Sequence, residues 1–372
     1  VRFVLFCHSL ISDWNHGNAH FLRGIASELI AQGHSVRVYE PADNWSLRNL
    51  REQHGETPIA AFHAAYPGLQ SCMYELATLD LDEALDGADV VIVHEWNDPN
   101  LVKRIGRHRA LARTYRLFFH DTHHRAVSAP DELRRFDLTH YDGVLAFGEV
   151  LRQIYEDRGW AARAWTWHEG ADTRVFRPLP ASRKDLDLVW IGNWGDGERA
   201  EELSEHLLDP VRTLQLRARI HGVRYPPEAL VQLGYAGVWY AGWLPNYRVP
   251  EVFASARMTV HVPRAFYRHS LPGIPTIRMF EALACGIPLV SAPWDDCEHL
   301  FEPDQDYLVA SNGRHMREHL RMLRADPDAA LVLAESGLNR ILSRHTCAHR
   351  VQELLNICRT LSTADARAGK VA

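Results

Sequence analysis

Residues Thr276–Val290 read TIRMFEALACGIPLV, and the way this stretch folds decides the architecture. FEALA is composed mostly of good helix formers. Gly286 follows as a helix stop, and Pro288 bars continuation of the helix. The LVSA that comes next reads as a buried strand. A helix turning sharply into such a strand is half of a β/α unit. Glu281 is the anomaly, a carboxylate inside the apolar run.

The same alternation extends to both sides. RFVLFC (Arg2–Cys7) is a continuous apolar run, HFLRGIASELIAQG has helical spacing and stops at Gly33, and HSVRVYEP is the next strand. DVVIVHEW, YRLFFHDTHH, DGVLAFGEV and ARAWTWHEGAD continue as strands, with LVKRIGRHRAL and VLRQIYEDRG as helices. The Pro- and charge-rich RVFRPLPASRKD (Arg174–Asp185) breaks the series and reads as a linker. Strands LDLVWIGNW, LRARIHG, MTVHVPR and PLVSAPW follow, alternating with helices ERAEELSEHLLDPVRTL, VPEVFASA and RMFEALACG. The tail from Met316 to Leu361 reads as helical, with breaks near Pro327 and Gly337. An alternating β/α series implies parallel sheets covered by helices. In such sheets ligands sit beyond the carboxyl ends of the strands.

Composition narrows the function classes. The chain has 372 residues, enough for two domains, and a net charge of −6 with no basic stripe. A dedicated nucleic-acid binder is therefore not expected. The N-terminal VRFVLFCHSL lacks the features of a signal peptide, and no run is long enough to span a membrane. The six cysteines form no C-x-x-C pair and read as buried thiols of a cytoplasmic protein.

Three chemistries fail on their motifs. The loop HSLISDWNHGN after the first strand offers only Gly17, so the dinucleotide fingerprint is missing. HDTHH (His120–His124) has metal-ligand residue types, but a metal site needs ligands converging from elsewhere, and none is expected. Asp80-Leu81-Asp82 and Asp185-Leu186-Asp187 both match D-x-D, which shows how common that pattern is.

The segment IPTIRMFEALACGIPLVSAPWDDCEHLFEPDQDYLVA resembles the C-terminal domain of family 4-like GT-B glycosyltransferases. Its R-x-F-E-A-L-A-C-G block is most similar to that of the spore-maturation-protein-like members. WHEGADTRVFRPL, LVWIGNWGDGER and NHGNAHFLRGIASELIAQGHSVRVYEP extend the likeness over most of the chain. The resemblance implies an α/β fold of two Rossmann-like domains facing across a cleft. Residues 1–176 would form the acceptor domain and 177–345 the donor domain. Residues 346–372 would hold a helix crossing back to the first domain, plus a tail.

The resemblance also implies roles. Glu281 would bind the donor ribose, and an ionised carboxylate can accept two hydrogen bonds from a vicinal diol. Its helix would turn unpaired N–H groups toward the diphosphate. Arg278, Arg199, Arg268 and Arg224 are candidates for neutralising that diphosphate. Trp243 would pack on the base. His120, with Asp121 and His94, would face the transferred sugar, while His16, Gly17 and Asn18 would meet the acceptor.

This chain departs from the family pattern at two places. Gly273 stands where many members have a further glutamate, and Asn193 stands where an arginine is common. The implied reaction is transfer from a UDP- or GDP-sugar to an unidentified acceptor, with retention and without metal or other cofactor. A sugar-nucleotide epimerase or hydrolase, or a catalytically silent homologue, are the alternatives. Donor turnover without acceptor marks the first, and nucleotide binding without any turnover marks the second.

Overall fold

The structure is a computed structural model and describes residues 1–112, 115–180, 184–195 and 197–368. Residues 181–183 of the expected linker lie outside the described residues.

The chain forms two compact units that are not contiguous in sequence. The first holds Val1–Ile11, Phe21–Gly170 and Thr346–Ala372; the second holds Ser12–His20 and Ala171–His345. The loop after the first strand thus belongs with the second unit, and the long last helix, Cys347–Ala368, with the first.

The first unit is built on a seven-stranded parallel sheet in the order β3-β2-β1-β4-β5-β6-β7. Its strands are β1 (Arg2–Phe6), β2 (Ser35–Pro41), β3 (Ser71–Tyr74), β4 (Val90–His94), β5 (Arg116–Asp121), β6 (Gly143–Ala146) and β7 (Ala164–Thr166). Every residue of β4 and β6 is buried, which explains why their sequences do not alternate. The last helix is tied down within this unit, where Arg350 O accepts from Trp167 Nε1 at 2.8 Å and Arg350 Nε donates to Glu169 O at 3.1 Å.

The second unit repeats the plan with six parallel strands in the order β10-β9-β8-β11-β12-β13. These are β8 (Leu186–Ile191), β9 (Ala218–His221), β10 (Val238–Tyr240), β11 (Ala256–His261), β12 (Leu289–Ser291) and β13 (Leu308–Val309). Its core gathers Leu188, Trp190, Ile220, Met258, Val260 and Val290 from the strands with Leu207, Leu233 and Leu320 from the helices. In both sheets the order reverses beside the first strand, as in Rossmann-like folds, and the reversal opens a crevice at the carboxyl ends.

The opening stretch folds as its residues require. The helix Ile277–Ala284 ends in Cys285, Gly286 takes φ +65°, and β12 begins at Leu289. Two other helical expectations are corrected. ERAEELSEHLLDPVRTL contains a wide π turn at Ser204–Leu208, just before Pro210, which has no N–H to give a regular helix. Gly337 does not break its helix, which runs from Pro327 to Arg344. A Cβ there would lie 2.7 Å from both Asp306 O and a Leu283 methyl, so this glycine permits close packing. Of the six cysteines, expected to be buried, Cys72 and Cys297 are exposed and Cys358 is half-buried.

Candidate functional site

In the second unit, an open recess lies at the carboxyl ends of β8, β9 and β10. Gly192 and Asn193 follow β8, Gly222 and Val223 follow β9, and Trp243 and Leu244 follow β10. Ile191, His221, Asp13, Asn15, His16, Gly17 and Arg278 complete its lining. The strand exits approach so closely that a Cβ on Gly222 would meet Gly192 O at 2.0 Å, so only glycine fits there.

Side chains fix the loops around this recess. Asn193 Oδ1 accepts from the Val223 N–H at 2.8 Å, and its amide nitrogen donates to Asn15 Oδ1. Asp13 takes the Trp243 indole N–H at 3.0 Å and the Asn246 N–H at 2.9 Å. Trp243 is therefore held by its edge.

Behind the recess lies Glu281, fully buried. Its Oε1 accepts from His20 Nδ1 at 3.0 Å and from Asn246 Nδ2 at 2.9 Å, and its Oε2 pairs with the Arg278 guanidinium. Burial alone pushes this carboxyl up, but the Arg278 charge and the His20 hydrogen bond overcome it. The net result is a pKa below the usual glutamate value. Arg278, one turn earlier on the same helix, keeps 29% of its side chain exposed and reaches the recess.

The other expected donor residues have different surroundings. Arg199 is buried, donating to Val262 O at 2.8 Å and to Asn193 O, and burial lowers its pKa to about 10. It braces the β8 and β11 exits. Arg268 pairs with Glu202 at 2.9 Å. Gly273 takes φ +84° and donates to Asp295 O at 2.7 Å, and a Cβ there would lie 2.8 Å from the Glu298 side chain. Both conformation and space thus demand glycine at this position. Arg199, Arg268, Gly273 and half-buried Asn18 do not line the recess, whereas Asn193, Trp243, His16 and Gly17 do.

The first unit holds a second polar cluster, at the β4 and β5 exits. The β4–β5 register sets His94 beside His120, with ring centroids 5.2 Å apart. His120 is 1% exposed and packs against Phe21 and Trp167, and among the described residues neither ring nitrogen has a hydrogen-bond partner. Burial lowers its pKa to about 3, so it is neutral at working pH. His94 Nε2 meets Thr122 Oγ1 at 3.1 Å.

Asp121, also buried, accepts from the Tyr155 hydroxyl at 2.7 Å, and burial raises its pKa. Glu95 pairs with Arg125, whose guanidinium lies 4.3 Å from the Trp96 ring centre. Burial first, then the neighbouring Asp121 charge, pushes Glu95 up to about 8. The Arg125 charge is felt by both buried carboxyls, but its ion pair is with Glu95.

The sequence marks Glu95 only as the neighbour of His94 at a strand exit, and it does not single out His20, Asn246, Asp13 or Arg125.

Comparison with known proteins gives these arrangements a context. Residues 199–356 match the family described as Glycosyl transferase-like. No curated protein matches the chain. Among solved structures, it is similar to a sucrose-phosphate synthase from Thermosynechococcus elongatus, at TM-score 0.64 and 15% identity over 98% of this chain and 99% of that one. It is also similar to Anabaena HepE in complex with UDP, at TM-score 0.65 and 16% identity over 98% and 100% of the two chains. An α-glucosyltransferase in complex with UDP and DNA reaches TM-score 0.68 at 13% identity over 96% and 99%. The fold is therefore GT-B, with two Rossmann-like sheets, and residues 199–356 are similar to the glycosyl transferase-like family. Among the described residues no helix is long and apolar enough to cross a membrane.

Proposed function

We propose that this chain is a glycosyltransferase that takes a sugar from a UDP-sugar, with the donor held in the recess of the second unit. One observation carries the reading. Arg278 is presented to a recess at the carboxyl ends of β8–β10, and the buried Glu281 stands directly behind it. Strand exits are where a Rossmann-like sheet binds nucleotides. The glycine-bounded opening admits a flat base beside Trp243, and Arg278 supplies the cation a diphosphate needs. UDP and UDP-glucose in HepE support uridine as the base.

The reaction we propose retains configuration and uses no bound metal, in keeping with the likeness of the 276–290 block to family 4-like enzymes. The bond from the sugar's anomeric carbon to the diphosphate oxygen breaks. Arg278 neutralises the charge that develops there. The acceptor oxygen takes the anomeric carbon, and its proton passes to the departing diphosphate. His16 and Gly17 line the same recess as Arg278, so they belong with the donor in this reading. His120, His94 and Asp121 remain candidates for the sugar and acceptor side.

A thermal-shift panel of UDP, GDP, ADP, CMP and TDP, without added metal, tests the reading. Stabilisation that rises with UDP concentration is expected. No shift with any of the five, with or without magnesium, overturns it.

A further inference from the structure

His20 makes two hydrogen bonds that together fix its protonation. Its Nε2 accepts the backbone N–H of Asp172 at 2.8 Å, so Nε2 carries a lone pair and no proton. The proton of the neutral ring must sit on Nδ1, which faces Glu281 Oε1 at 3.0 Å. The ring stacks on Phe176 with centroids 3.8 Å apart and is 1% exposed, so it has no freedom to turn over.

Glu281 Oε1 thereby receives two donors, His20 and Asn246, while Oε2 is left to Arg278. This division matters for the arginine. A carboxylate free to rotate takes a guanidinium with both oxygens, in the bidentate pairing that arginine favours. With Oε1 occupied, Arg278 is held on one oxygen, and its remaining N–H groups stay available to the recess it lines.

Building on the donor reading above, we propose that His20 is a positioning residue of the nucleotide site. By donating from Nδ1 to Glu281, it keeps the carboxylate from capturing Arg278 and so presents the guanidinium to the diphosphate of the donor. Asp172 takes part through its backbone N–H, which selects the tautomer.

Two isosteric variants separate this role from simple packing. In His20→Asn the amide nitrogen can take the place of Nδ1 and still donate to Glu281, while the Asp172 N–H loses its acceptor. In His20→Gln the amide reaches the Nε2 position, serving Asp172 but not Glu281. Each variant keeps one of the two hydrogen bonds, so their melting temperatures should fall by similar amounts.

UDP affinity should divide them. Calorimetric titration of UDP into the full chain should give His20→Asn within about threefold of wild type and His20→Gln weaker by about tenfold or more. UMP should show a smaller difference between the two variants, because it lacks the second phosphate. Equal UDP affinity in the two variants overturns the proposal.

A nitrogen-15 spectrum of the wild-type histidines gives an arm that needs neither variant nor nucleotide. The proton of His20 is expected on Nδ1, and finding it on Nε2 also overturns the proposal. Wild-type protein that fails to bind UDP would instead overturn the donor reading, and this proposal with it.

Discussion

Two fully buried glutamates, Glu281 and Glu95, sit beside arginines and near histidines, yet their protons are held in opposite ways. Around Glu281 one carboxylate meets three donors, His20, Asn246 and Arg278, and its pKa falls. Around Glu95 burial and the charge of a second buried carboxyl, Asp121, outweigh the paired Arg125, and the Glu95 pKa rises to about 8. Burial is the same in both places. Glu95 also has three donors, from Arg125 and from the Thr122 N–H and hydroxyl, so what separates the two is the Asp121 charge that adds to burial at Glu95. The first cluster is a balanced support for a cation, and the second holds a proton at neutral pH.

Removing the acceptor from the balanced cluster should have the largest effect. Glu281→Ala leaves Arg278, the His20 N–H and the Asn246 amide without their shared partner. A loss of about 3 kcal/mol in urea unfolding is expected, since breaking a buried pair costs about 3–5 kcal/mol and Arg278 retains some access to water. A loss below about 1 kcal/mol would show that the cluster relaxes easily.

Arg125→Ala attacks the other cluster, and its cost should depend on pH. At pH 9 it leaves carboxylate charge unpaired, with about 2 kcal/mol or more expected; at pH 6 the carboxyls take up protons and the loss should be smaller. A pH-independent loss would contradict a cluster that holds a proton at neutral pH.

Glu95→Gln sharpens the comparison through linkage. The folded Glu95 pKa of about 8 lies above the unfolded value of about 4.3, so folding retains a proton between those limits. Its contribution to stability is complete below pH ~4 and is lost as pH rises through ~8. The stability of Glu95→Gln relative to wild type should therefore improve steadily from pH 5 to pH 9, to an extent on the order of 1 kcal/mol or more. Glu281 works in the opposite window: its contribution is present above the ordinary carboxylate pKa of about 4.3 and is lost as pH falls through its lower folded value.

His120→Phe should have the smallest effect on stability, within about 1 kcal/mol, because the ring is buried among aromatics and neither nitrogen has a partner among the described residues. Activity in a transfer assay then reads the role of the imidazole separately. A stable variant with unchanged activity would remove His120 from the catalytic candidates.

Local chemistry made much of the fold legible. The switch at 276–290 was readable because FEALA, Gly286 and Pro288 each act on their own backbone, and the buried strands announced themselves as unbroken apolar runs. The edge strands β3 and β10 were not readable. SCMY is half exposed, and VWY is three residues that bury only Val238. Gly337 misled because the constraint on it comes from Leu283 and Asp306, distant in sequence.

The site divides in the same manner. Glu281 stood out as a carboxylate inside an apolar helix, but its role and that of Arg278 one turn earlier were legible only through the likeness of the 276–290 block to family 4-like enzymes. His20 was invisible because its partner lies 261 residues away, and nothing in GNAHF marks the histidine. Chain continuity likewise placed Ser12–His20 with the first domain, whereas packing groups it with the second unit.

The most direct test of the account is a calorimetric titration of UDP into wild-type protein and Arg278→Ala, without metal. Saturable binding by wild type, weakened about tenfold or more in the variant, is the predicted result, since a charged hydrogen bond to phosphate is lost. No binding by wild type at millimolar UDP, or equal affinity in the two proteins, would contradict the assignment of the recess as the donor site.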